Sequence, residues 1–150
     1  MQKPRKIIPP GYLLIAILAT IALHYFLPIA RFSAPLFSSL GVVLIAAGVG
    51  LTACAAGLFA RAGTPLKPFE RSTALVTGGV YRITRNPMYA GLILVLTGVA
   101  LFCGTAGALL PLPVFVWLLT KQFIEGEEQF LEGIFGEDYL AYKRRVRRWL

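Results

Sequence analysis

Carboxylates are scarce in this sequence, and so is charge of either sign. Asp and Glu together number 7 in 150 residues, and charged residues make up 15%, against about 25% in soluble globular proteins. A chain so poor in charge cannot solvate the surface of a soluble domain, and it lacks the polarity of a disordered tail. Histidine occurs once and cysteine twice. A disulfide framework or a metal centre needs more ligands at characteristic spacings, so neither is expected. Cys54 and Cys103 lie inside apolar runs and read as small buried hydrophobes. His24, beside Tyr25 and Phe26, reads as part of an interfacial aromatic belt.

What fills the sequence is apolar: 57% hydrophobic residues and a mean hydropathy of +0.70. No charge occurs from Ile7 to Ala30, from Phe32 to Ala60 or from Asn86 to Thr120. Each run exceeds the ~20 residues that a helix needs to cross a hydrocarbon core. The first is too long for a cleavable signal and ends in no small-residue cleavage site. The third, as one straight helix, would be ~52 Å long, far beyond the ~30 Å core. Gly104-Thr105-Ala106-Gly107 offers a break in its middle. The expectation is an all-α polytopic membrane protein, one domain over 1–150. Its four spans fall at about 11–29, 36–60, 87–103 and 108–124, the last two forming a helical hairpin. Pro111 and Pro113 shape the start of the fourth span, and Lys121 snorkels at its end.

Basic residues set the orientation. Arg31 alone lies in the short loop between spans one and two, and the other fourteen of the 15 Lys and Arg fall on the opposite side. That side is therefore cytoplasmic, with both termini on it (the inner membrane, in a bacterium). All polar chemistry belongs there, in segments 63–86 and 123–150. The net charge of +8 is explained by this bias and by anionic headgroups, so nucleic acid is not an expected partner. Tyr139, Tyr142, Val146 and Trp149 recur at helical spacing with basic residues around them. They predict an amphipathic interfacial helix, aromatic face down, at the C-terminal end.

Within the two polar segments, Asn86-Pro87 is a good helix start, with N–H groups and a positive dipole end facing any nearby anion. Gly78-Gly79 permits a turn just before it. Projecting Phe123–Phe135 at 100° per residue puts Phe123, Phe130, Leu131 and Ile134 on one apolar stripe. Glu127 sits in its middle, with Glu125, Glu128 and Glu132 on the far side. A carboxylate on an apolar face must be paired. Two readings stand open: a structural pair with Arg82 or Arg85, or a contact to a ligand bearing hydroxyls or positive charge.

The stretch TALVTGGVYRITRNPMYAG, a helical hairpin, and then EEQFLEGIFGEDYLAYKRRV resemble the isoprenylcysteine carboxyl methyltransferase family. The shared pattern is LVT-x-G-x-Y, R-x-P-x-Y-x-G, E-E, and F-G-x-x-Y-x-x-Y-x-x-x-V. NPMY-x-G followed by E-E is also similar to phospholipid N-methyltransferases. The resemblance covers roughly Ala74–Val146 and implies an integral-membrane methyltransferase that uses S-adenosylmethionine. Carried over, its cofactor contacts fall on Thr73, Ala74, Leu75, Val76, Tyr81, Asn86 and Glu127, with Arg85, Tyr89 and Glu128 toward the substrate. Asn86 stands where the prenylcysteine enzymes have histidine, and Phe123 where they have arginine. Both departures point away from a prenylcysteine carboxylate as acceptor.

Methyl transfer needs alignment and no protein nucleophile, and no catalytic residue is assigned. An amine acceptor would require a base, with Tyr89 and Glu128 the nearest candidates. The implied partners are the bilayer and a lipid-like or apolar acceptor. A sterol-type reductase using NADPH and a non-enzymatic four-span transporter or scaffold are the alternatives. The resemblance places the cofactor contact on Glu127 and gives Glu128 the lesser role, and both Glu→Gln changes are expected to leave the fold intact.

Overall fold

The computed structural model describes residues 8–32, 34–63 and 74–149. It contains helices α1 (Pro9–Phe26), α2 (Pro35–Arg61), α3 (Pro87–Cys103), α4 (Pro111–Leu119), α5 (Glu125–Phe135) and α6 (Glu137–Arg145). Short 3₁₀ turns at Gly79–Arg82 and Ala106–Leu109 precede α3 and α4. A π turn at Thr120–Ile124 joins α4 to α5. Among the described residues there is no strand, only two isolated β-bridges.

Local chemistry explains the helix limits. Prolines open α1, α2, α3 and α4, where a missing N–H costs nothing. α1 stops at Phe26 because Pro28 follows, which drives Leu27 out of helical geometry (φ −136°, ψ 66°). The expected break in the third apolar run is present. α3 ends at Cys103, and Gly104 turns the chain at φ +70°, a conformation that side chains other than glycine rarely adopt.

Pro9–Phe26, Pro35–Arg61 and the continuous run Ala106–Phe135 are each long and apolar enough to cross a membrane. α3, at 17 residues, is a shorter apolar helix, close to the lower limit for a span. Large apolar side chains such as Leu14, Leu18, Val42, Val43 and Val49 are exposed on α1 and α2. Helices that stay apolar on their outward faces are solvated by lipid. This is an integral membrane protein.

The chain divides into two compact units, Met1–Gly48 with Leu92–Trp117, and Val49–Gly91 with Leu118–Leu150. In the first, α2 and α3 cross at Gly41 and Gly98. A Cβ on Gly98 would lie 2.5 Å from Gly41 O and 2.7 Å from Ile45 Cγ1. Small residues at such crossings let backbones meet, which supplies the packing that water cannot drive inside a bilayer. In the second, a core of Ala55, Tyr81, Tyr139, Tyr142 and Val146 gathers Leu58, Phe59, Met88, Leu131 and Phe135 around it. The C-terminal helix is amphipathic as expected, and protein covers its aromatic face: Tyr139 and Tyr142 are buried. Val146 lies just past the end of α6, in extended conformation.

The Gly98 contact is with backbone, which cannot give way. Gly98→Ala is therefore expected to destabilise the protein by about 1–3 kcal/mol, the usual effect of overpacking. Gly50, whose added Cβ meets nothing within 4 Å, should respond in the opposite sense, Gly50→Ala raising stability by up to about 1 kcal/mol. Melting curves of both variants in one detergent check the sign of each effect.

Candidate functional site

Two adjacent glutamates on α5 organise the second unit, and their burial is the reverse of the sequence expectation. Glu128 is buried at 5% exposure, whereas Glu127 is intermediate and Ile134 is 44% exposed. The inner face of this helix carries Ile124, Glu128, Leu131 and Phe135, not the stripe centred on Glu127. The 100° projection itself brings Ile124, Glu128, Leu131 and Phe135 within about 60° of one another, so two overlapping apolar stripes were available. The packing of Leu131 and Phe135 against the tyrosine core turns Glu128 inward.

Glu128 also holds the structural pair that the sequence offered to Glu127. Arg85 Nη2 donates to Glu128 Oε1 at 3.0 Å. Arg148 Nε donates to the same oxygen at 3.1 Å, and its Nη2 to Oε2 at 2.7 Å. Arg82, the other expected partner, is exposed. The Glu128 hydrogen bond and charge, against the opposing effect of burial, raise the Arg148 pKa still further. The side chains of Arg85 and Glu128 are 8% and 7% exposed, so this is a buried cluster.

Backbone pairing holds the cluster together. Residues 84 and 147 form a parallel bridge, and Arg85 N–H donates to Arg147 O at 2.9 Å. Arg148 O accepts from Thr84 Oγ1 at 2.8 Å and from Asn86 Nδ2 at 3.1 Å. Arg85 Nη1 donates to Lys143 O at 3.2 Å. Asn86, expected among the cofactor contacts, therefore joins Arg85, Glu128 and the C-terminal segment. Arg148 and Thr84 were missed by sequence reasoning. Arg148 sits in a basic run in which no spacing distinguishes it from Arg145 or Arg147.

Glu127 occupies different surroundings. Tyr89 Oη, one turn along α3 from Arg85, donates to Glu127 Oε1 at 2.7 Å. The Tyr89 ring stacks on Phe123 at a centroid distance of 6.3 Å. Tyr81 is the neighbour shared with the preceding segment: Leu75 and Val76 pack against its cluster, and Phe59 lies 5.4 Å from its ring. Burial first, then Tyr142 and the charge of Glu127, hold the Tyr81 phenol well above its usual range. Burial pushes Tyr142 up to about 12, against the lowering effect of Arg85. The Tyr142 hydroxyl donates to Tyr81 O at 2.6 Å. Residues 75–77 lie outside helix or strand, and Ala74 adjoins them; Thr73 lies outside the described residues. Leu75, Val76 and Tyr81 thus share one core, Tyr89 is bonded to Glu127, and Arg85 and Asn86 gather with Glu128 and the C-terminal segment.

A half-buried carboxylate, flanked by aromatic rings and next to an apolar stretch of irregular backbone, can accept hydrogen bonds from a diol and attract a cation. No group of three or more metal-ligating side chains occurs among the described residues.

The family model for phospholipid methyltransferases matches residues 36–138. Protein-S-isoprenylcysteine O-methyltransferase A of Arabidopsis thaliana is 32% identical over 111 residues, covering 73% of this chain and 56% of that enzyme. The Homo sapiens protein-S-isoprenylcysteine O-methyltransferase is 39% identical over 77 residues, 48% of this chain and 25% of the enzyme. The chain spans about half the length of the Arabidopsis enzymes it matches. No solved structure matches it.

The cluster geometry revises the expectation that both glutamates tolerate neutralisation. Removing one partner of a buried ion pair costs about 3–5 kcal/mol, and Glu128→Gln strands two guanidiniums at once. Arg148→Met should cost less, since Arg85 still pairs with Glu128 and the Arg148 side chain is 34% exposed. Glu127→Gln should cost least. Thermal unfolding of the three variants should rank them in that order, and an intact melting temperature in Glu128→Gln would contradict the buried cluster.

Proposed function

The chain belongs to the phospholipid methyltransferase family, and from that membership we propose that it is an S-adenosylmethionine-dependent methyltransferase. In this reading it acts at the cytoplasmic membrane face on a lipid-like or apolar acceptor. The observation that carries the proposal is the environment of Glu127, a half-buried carboxylate bonded to Tyr89 beside Tyr81 and the apolar segment 74–76. These residue types fit the cofactor, which has ribose hydroxyls, a flat apolar base and a positively charged sulfur. We assign Ala74, Leu75, Val76, Tyr81 and Glu127 to its binding, with Thr73 and Asn86 adjoining.

Bound S-adenosylmethionine supplies an electrophilic methyl group, and the protein contributes alignment and electrostatics. Glu127 fixes the cofactor and favours its positive charge. Tyr89 orients Glu127 through its hydroxyl, and Phe123 holds the Tyr89 ring. Arg85 and Glu128 lie on the acceptor side in this reading. Both Glu128 oxygens already accept hydrogen bonds from guanidiniums. The Tyr81, Tyr139 and Tyr142 phenols, all raised by burial, are neutral at physiological pH, and Tyr142 donates to the Tyr81 carbonyl. Phe123 in place of a cation suits an acceptor whose reacting end carries no carboxylate. The reductase and transporter alternatives gain no support from the family match.

The orientation is part of the proposal: both termini cytoplasmic, with the α1–α2 junction across the membrane. Reporter fusions after Ala34 and after Leu150 should then show opposite sidedness, and matching sidedness would refute the four-span topology.

The cofactor site is tested with S-adenosylhomocysteine and the purified protein in lipid. A charged hydrogen bond is worth ~1.5–3 kcal/mol, so Glu127→Gln should weaken binding by roughly ten- to a hundredfold while its melting curve stays near the wild type. Label from the cofactor should pass into organic-extractable membrane material. Unchanged affinity in a folded Glu127→Gln protein would remove Glu127 from the site, and turnover confined to freely soluble molecules would remove the lipid-like acceptor.

A further inference from the structure

Arg31 stands in a compact unit without acidic side chains. That unit is made of Met1–Gly48 and Leu92–Trp117, and Arg31 lies within it between α1 and α2. No carboxylate of its own unit can neutralise that guanidinium. The main chain around it is firmly held. Arg31 and Thr105 form an antiparallel bridge, Phe32 N–H donates to Gly104 O at 2.9 Å, and Ala106 N–H donates to Ile29 O at 2.9 Å.

This rim borders a hollow of about 310 Å³ lined by His24, Tyr25, Arg31, Cys103, Gly104 and Thr105. Its volume falls at the small end of ligand sites. His24 Nδ1 lies 3.2 Å from Thr105 Oγ1, which fixes the ring and leaves Nε2 as its remaining polar atom. His24 is thus more than a member of an aromatic belt. A guanidinium and one further donor, His24 Nε2–H or the Thr105 hydroxyl according to the tautomer of the His24–Thr105 pair, line one hollow. A cation beside a neutral donor is the chemistry that binds a phosphate oxygen.

The surroundings identify the source of that phosphate. Tyr25 and Phe26 are 73% and 86% exposed, and aromatic rings at the end of an apolar helix mark headgroup depth. Leu14, Leu18, Ile21 and Tyr25 are all exposed and, at spacings of four, three and four, share one face of α1. The stripe runs about 16 Å along the helix, roughly half the ~30 Å hydrocarbon core. We propose that the hollow binds the phosphate of an anionic phospholipid whose acyl chain lies along this stripe. The site is separate from the glutamate pair and does not depend on the methyltransferase reading.

Delipidated protein in a non-ionic detergent, titrated with phosphatidylglycerol and followed by native mass spectrometry, gives the affinity of the first bound lipid. Arg31→Gln should weaken it by about tenfold or more, the loss of a charge-assisted contact, and Arg31→Lys by less. Arg82→Gln, which removes an exposed arginine elsewhere, should leave it within about twofold. Arg31 is exposed, so these variants should melt like the wild type without lipid. Equal weakening by Arg31→Gln and Arg82→Gln would reduce the effect to general attraction by a basic surface and overturn the site. No weakening in Arg31→Gln would overturn it as well. Inorganic phosphate should neither displace the lipid nor raise the melting temperature. If it does both at comparable concentration, the ligand is a soluble phosphate and the lipid assignment falls.

Discussion

A carboxylate with almost no access to solvent must find positive charge, and in this protein Glu128 finds it twice. Arg85 approaches from the residues that lead into α3, and Arg148 from the segment that follows α6. Three stretches distant in sequence are thereby tied to one point. Buried ion pairs add little net stability, because desolvation offsets most of the attraction. What this one supplies is register. With Arg85 fixed, Tyr89 one turn later faces Glu127. With Glu128 fixed, its neighbour cannot rotate away. The candidate cofactor carboxylate is positioned by the bonds of the residue beside it.

The face that α5 turns inward decides which glutamate is neutralised and which lies beside the aromatic rings: Leu131 and Phe135 pack against the tyrosine core, and Glu128 shares their side of the helix. The phenols of Tyr81, Tyr139 and Tyr142 close the same unit. They are neutral phenols whose pKa values burial raises further, so they add packing without adding charge, and Tyr142 adds a hydrogen-bond donor.

The first unit uses other means. Glycine contacts at Gly41 and Gly98 and backbone bonds around Arg31 and Thr105 do there what ion pairs do in the second. With no carboxylate present, its one described arginine can be satisfied only by water, by lipid or by another anion.

Much of this was legible in the sequence. Apolar run length, proline and glycine placement and basic-residue bias are local or additive properties, so they located the apolar helices, the helix start at Pro87 and the turn at Gly104. The ordered motifs from Ala74 to Val146 pointed to the family and grouped Tyr81 with Glu127, but they set Tyr89 with Arg85 and Glu128, whereas its hydroxyl is bonded to Glu127. The fine assignment of the glutamates was not legible, because α5 is apolar over more than one side, Phe130 with Ile134 and Leu131 with Phe135, and projection alone does not say which side meets protein. Nor was the part played by Arg148, which lies 20 residues from Glu128 in the chain and looks like any other arginine in a basic run. Hydropathy and spacing are written residue by residue. Which charge meets which depends on the face that α5 turns inward and the docking of a distant segment, and only the tertiary structure decides those.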